Sequence, residues 1–173
     1  MFITRTIRVT LLVALLVLTA GTISTPSSVN AEIVERNTIT PYTKMQIVEA
    51  SNKERATEHL TTLTVNTKLS VVAQRKADDM VRNAYFAHYS PLGVSPWDWF
   101  REVGYNYVYA GENLAVHFTT LDTLMDAWMH SPSHRANIIN KNYSEIGIGI
   151  AQGERNGKIG WFVVQVFGTE NKK

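Results

Sequence analysis

The 173-residue chain contains no cysteine, which removes disulfides, thiolate nucleophiles, thiolate metal sites and cysteine-linked lipids together. Cysteine-dependent hydrolases of the papain type are excluded with them. Charge is also sparse: 18% of residues are ionic and the formal net charge is +2. Arg5 and Arg8 lie in the first 31 residues, which hold no acid, so the remainder carries 15 Lys and Arg against 15 Asp and Glu. A neutral remainder without a Lys/Arg cluster excludes a nucleic-acid binder, which needs a basic face to replace phosphate counterions. The longest uncharged apolar run, Val9 to Ala20, is twelve residues, whereas a bilayer-spanning helix needs roughly 20.

That short run, led by Arg5 and Arg8 and followed by a Ser/Thr/Pro stretch ending at Val29-Asn30-Ala31, reads as a secretory signal peptide over residues 1–31. The alternative is an uncleaved amino-terminal anchor through residues 9–23, and either places the domain outside the cell. Export without disulfides is the habit of a bacterial, Gram-positive-like protein, held together by its core alone. Residues 32–43, rich in Thr and carrying Pro41, read as a linker, and residues 44–170 as one compact domain.

What is present is a core-forming composition, 45% hydrophobic with seven Tyr and four Trp. Met45, Val48, Ala56 and Leu60 predict a first helix from Lys44 to about Leu60. Leu69, Val72, Ala73, Ala77, Met80 and Ala84 predict a second with a continuous apolar stripe. The aromatic, Pro/Gly-punctuated segment 85–110 reads as a loop and a short helix that ends at Gly104; a further helix runs from Thr120 to His130, and Ser131-Pro132 opens a short one through Ile139, with Ser as cap and Pro at the first position. The period then changes to two, with Ile146, Ile148 and Ile150 alternating with small residues, and Asn156-Gly157 predicts a hairpin into Gly160–Phe167. A further strand is expected near Gly111–Val116. The class is α+β, with helices packed on a small antiparallel sheet.

Four groups could carry chemistry: His88 after an aromatic pair, Glu112 between Gly111 and Asn113, His134 in the first turn of a helix, and Glu145 ahead of the Ile/Gly strand. Two imidazoles and a carboxylate can bind Zn²⁺ with an open position or serve as acid and base in hydrolysis, but spacings of 24 and 22 residues make no metal motif. His130 and His134 stand four apart, yet Pro132 between them separates their directions. Ser133 beside His134 is no nucleophile pair, because adjacent helical residues point about 100° apart and no G-x-S-x-G is present. Trp97, Trp99, Phe100, Tyr105, Tyr107 and Tyr109 can wall a groove for an apolar or glycan ligand, or pin a long loop onto the helices.

The ordered set Asn52-Lys-Glu-Arg55, Ala73 to Met80, Tyr85-Phe-Ala-His88, Gly111-Glu-Asn-Leu-Ala115, Trp128-Met-His-Ser-Pro-Ser-His134-Arg-Ala-Asn-Ile138, Tyr143-Ser-Glu-Ile-Gly-Ile-Gly149 and Trp161 to Gly168 resembles the CAP superfamily (SCP domain), shared by cysteine-rich secretory proteins, antigen five and pathogenesis-related protein one. The resemblance covers residues 44–168 and implies a three-layer α-β-α sandwich whose central cleft is lined, in many members, by two His and two acids. His88, Glu112 and His134 match three of these. The fourth position corresponds to Ser131, so the set is incomplete, and Glu145 is a second candidate to approach the cleft. The expected function is non-enzymatic: binding of a small-molecule, lipid or cell-envelope ligand through this cleft, with Zn²⁺ or another divalent cation as an open question. Two alternatives stand beside it, a metal-assisted hydrolase acting on envelope material and a structural domain without a cleft ligand.

Overall fold

The computed structural model describes residues 40–171. The expected export segment and residues 32–39 of the expected linker lie outside the described residues. Tyr42, at the end of that linker, is already part of the core at 2% exposure, and its hydroxyl donates to the Phe118 carbonyl (3.2 Å).

The elements follow in the order α1 (Lys44–Thr57), β1 (Thr64–Val65), α2 (Thr67–Arg82), α3 (Pro96–Glu102), β2 (Tyr107–Val116), α4 (Leu121–His130), α5 (Pro132–Ile138), β3 (Glu145–Arg155) and β4 (Lys158–Glu170). Their starts are encoded locally. Thr43 and Gln46 form a reciprocal capping box at α1, and the side chains of Asn66 and Thr120 accept the amides of Leu69 and Thr123 at the starts of α2 and α4. Pro96 and Pro132 occupy the first turns of α3 and α5, where a missing N–H costs nothing. Ser131 stands at the cap position of α5 but makes no side-chain cap bond; its hydroxyl lies 3.4 Å from that of Ser133.

The sheet order is β1-β3-β4-β2. β3 and β4 are antiparallel and joined through Asn156 and Gly157, both at positive φ, the two-residue turn that Asn-Gly favours. β2 pairs antiparallel with β4, and β1 adds a two-residue parallel pairing to β3 that no sequence pattern announces.

β4 is central and buried on both faces. Val163 and Phe167 face a layer with Ile47, Leu124, Trp128 and Ile138 from α1, α4 and α5. Phe162, Val164 and Val166 face Leu69, Val72, Ala73, Met80 and Phe100 from α2 and α3. This is the expected α-β-α sandwich. The Ile/Gly alternation of β3 reflects the same two layers: Ile146 and Ile148 enter the first core, while a Cβ on Gly149 would lie 2.1 Å from the Ala73 carbonyl oxygen. Absence of side chains there lets the backbone of α2 rest directly on the strand.

The face of α1 departs from expectation. Met45 is 53% exposed and the helix stops at Thr57, whereas Ile47, Val48, Ser51 and Arg55 are buried. The hydrophobic period misled because two buried positions are polar and satisfied: Ser51 donates to the Ile47 carbonyl and accepts from Gln165, and Arg55 donates to four carbonyl oxygens.

Candidate functional site

β2 is an edge strand, and three side chains cover its outer carbonyls. Tyr143 donates to Ala110 (3.0 Å), Asn137 to Glu112 (3.1 Å) and Trp128 to Leu114 (3.2 Å). Tyr143 and Asn137 can approach this closely because residue 111 is glycine; a Cβ there would lie 2.4 Å from the Tyr143 hydroxyl. The edge is thereby closed to strand addition and becomes one wall of a cleft.

This cleft, of about 380 Å³, is lined among others by His88, Tyr89, Trp97, Gly111, Glu112 and Asn137. Glu112, on β2, has a side chain only 3% exposed, and its Oε1 stands 2.7 Å from Nδ1 of His88, whose side chain is 53% exposed. A carboxylate only accepts, so the proton lies on Nδ1 and Nε2 is the free ring nitrogen. The hydrogen bond to Glu112 raises the His88 pKa above its ordinary value, against partial burial.

His134 is placed by α5, where Asn113 Nδ2 donates to its carbonyl (3.1 Å) and Asn137 Nδ2 donates to Asn113 Oδ1 (2.8 Å). Burial, followed by the nearby charge of His88, lowers its pKa. The two imidazoles are therefore electrostatically coupled and displaced in opposite directions.

The second-tier candidates are placed elsewhere. Glu145 Oε2 accepts from the Tyr105 hydroxyl (2.6 Å) and Oε1 from Asn66 Nδ2 (2.9 Å), which ties the start of β3 to the cap of α2 and not to the His88 cleft. Ser131 sits at the junction of α4 and α5 and does not line the cleft either. The donor set does not fit a metal: among the described residues no three His, Asp or Glu side chains are arranged to hold an ion, and Nδ1 of His88 is committed to Glu112. His130 pairs with Asp126 on the surface (3.0 Å).

The aromatic segment divides between both of its expected roles. Phe100 and Tyr105 are buried pins, whereas Trp97 reaches the cleft wall and stacks obliquely on Phe100 and Tyr107. A larger recess of about 620 Å³ between α1 and α4 is lined by Ala50, Leu121, Met125 and charged side chains, Asp126 among them, and by none of His88, Glu112 or His134.

Sequence reading missed Asn137, whose amide signals nothing outside its fold, and Lys76. Lys76 had a signal: it occupies a position of the α2 apolar stripe, between Ala73 and Met80, and is fully buried.

Comparison with known proteins agrees with this architecture. The family model described as cysteine-rich secretory protein family (CAP) matches residues 48–167. Uncharacterized protein YkwD of Bacillus subtilis (strain 168) is 39% identical over 134 residues, 78% of this chain and 48% of that protein. A solved extracellular protein containing a SCP domain, from Bacillus anthracis str. Ames, superposes with TM-score 0.64 at 27% identity over 73% of this chain and 40% of its own. The chain thus spans about half or less of these two relatives. An outer surface protein from Borrelia burgdorferi superposes with TM-score 0.62 at 26% identity over 73% of this chain and 92% of its own. With the family model covering most of the chain and the sandwich in common, the protein belongs to the cysteine-rich secretory protein (CAP) family.

Proposed function

We propose that the protein acts outside the cell as a binding domain, taking a glycan-type ligand of the cell envelope in the His88–Glu112 cleft. One observation carries the reading: a buried carboxylate holds an exposed imidazole in fixed orientation inside a cleft walled by Tyr89 and Trp97. A buried Glu that is not part of the core packing costs stability unless it is paired, and aromatic faces beside oriented polar groups are the equipment of sugar recognition. The relatives described as extracellular and outer-surface proteins support the location, and no helix among the described residues is long and apolar enough to cross a membrane. Metal is not part of this reading, because among the described residues no third ligand converges on the imidazoles. Titration of the protein with a soluble disaccharide-peptide fragment of peptidoglycan, followed by tryptophan fluorescence, tests it. A saturable change that is lost in Trp97→Phe and His88→Ala is expected; no change up to millimolar fragment refutes it.

A second reading is favoured by the opposed shifts of His88 and His134, which at neutral pH pair a more basic with a less basic imidazole, the arrangement used by acid–base catalysts. Hydrolysis of the same fragment, abolished in His134→Ala, would support it; an unchanged fragment after prolonged incubation rejects it.

A further inference from the structure

Resting on the binding role of the cleft, we infer that Lys76 is its positioning residue, an internal ammonium that pins the backbone of His88 and faces Glu112, so that the exposed imidazole is held where a ligand meets it.

Lys76 lies on α2 with no exposed surface. Its Nζ donates to the His88 carbonyl oxygen (2.7 Å) and to the Tyr85 hydroxyl (3.1 Å), and stands 4.8 Å from the centre of the Tyr85 ring. It therefore grips both ends of the Tyr85-Phe-Ala-His88 segment, which lies outside any helix or strand and is tied to the end of α2 by the Tyr85 N–H donating to the Met80 carbonyl (3.0 Å). The charged and titratable groups facing it are Asp79 on its own helix, Tyr85 and His88 on that segment, and Glu112 on β2. Tyr85 in turn donates to Asp79 (2.6 Å). Burial lowers the Lys76 pKa and both carboxylates oppose this.

An isolated buried ammonium costs far more than an apolar side chain of equal length, and a Met would fill this stripe position without charge. What the lysine adds is a donor for the His88 carbonyl and a counter-charge for Glu112. Through these it sustains the Glu112–His88 bond, although its direct effect on the His88 ring is repulsive. The two effects have opposite signs, which makes them separable.

The test is a ¹⁵N/¹H NMR titration of the histidine rings of the full chain without ligand, for wild type, Lys76→Met and Lys76→Arg. Positioning predicts that the His88 pKa in Lys76→Met falls toward the ordinary 6.5 as the Glu112 bond loosens, with Lys76→Arg, which keeps charge and donors, in between. A rise or no change in Lys76→Met overturns the inference, since loss of repulsion alone would raise it. Wild type provides an arm that does not depend on a folded variant: the Lys76 ammonium resonance should exchange slowly with water and shift at the midpoint of His88. A fast-exchanging signal indifferent to His88 overturns it equally. Neither arm involves glycan, so failure of glycan binding leaves them standing, and their failure leaves glycan binding to its own test.

Discussion

Arg55→Met removes a single guanidinium that holds together three separate parts of the chain. Arg55 is fully buried, with Nε donating to the Thr61 carbonyl (2.9 Å), Nη1 to those of Ile138 (2.9 Å) and Asn140 (2.8 Å), and Nη2 to that of Tyr143 (3.3 Å). The end of α1 is thus tied to the end of α5 and to the loop leading into β3. Methionine restores most of the volume but leaves these carbonyls without donors. A buried acceptor stripped of its partner costs about 1–3 kcal/mol, and three of the four bonds are short. Relief from burying a charge, worth several kcal/mol, offsets part of that sum. The expected net loss is about 3–5 kcal/mol, because four neutral acceptors stripped of their donors outweigh that relief. For a domain of this size that corresponds to a fall in Tm of roughly 10–20 °C. Urea unfolding followed by circular dichroism, with matched thermal scans, measures both. A loss below about 1 kcal/mol would show that water replaces the guanidinium and refute the clamp.

Gly149→Ala should destabilise by about 2 kcal/mol or more, because its Cβ would sit 2.1 Å from the Ala73 carbonyl oxygen and α2 would have to lift from the sheet; a neutral result in urea unfolding would contradict the direct helix-on-strand contact. Stability should also peak near pH 6.5 with respect to the His88 and His134 imidazoles. His88 has a folded pKa above the ordinary 6.5, so its contribution is complete below pH 6.5 and is lost as pH rises through the raised value. His134 has a folded pKa below 6.5, so stability is lost as pH falls from 6.5 through the lowered value, where the unfolded chain binds the proton first. Urea midpoints measured across pH 5.5 to 8.5 should lose the alkaline limb in His88→Ala and the acid limb in His134→Ala; unchanged profiles would refute the assignment. Dialysis against EDTA should leave Tm unchanged, since among the described residues no third ligand joins the imidazoles; a fall reversed by Zn²⁺ would overturn the reading of the donor set.

Periodicity carried the fold where one rule governed a segment. The α2 stripe from Leu69 through Val72, Ala73 and Ala77 to Met80 is buried as its spacing requires, while Ala84, its last expected member, lies past the helix end, exposed and at positive φ; the Asn156-Gly157 turn joins β3 to β4. It failed on α1, where Ser51 and Arg55 occupy inward positions that hydrophobicity cannot flag. It also missed β1, two residues too short to show a period. The cleft was visible through its motifs: His88 and Glu112 do meet, and His134 is close enough to feel His88's charge.

The sequence by itself determined the α2 stripe through Met80, the two-period hairpin, the lack of any covalent staple and the family, because each is written in local residue order. Only the tertiary structure decided that Glu145 belongs to Tyr105 and Asn66, that Ser131 stands aside, and that Lys76 lies beneath His88. Those outcomes depend on which atoms of distant segments meet across the sheet. Spacing along a chain carries no information about direction in space, and a buried charge is recognised only by the partners that surround it.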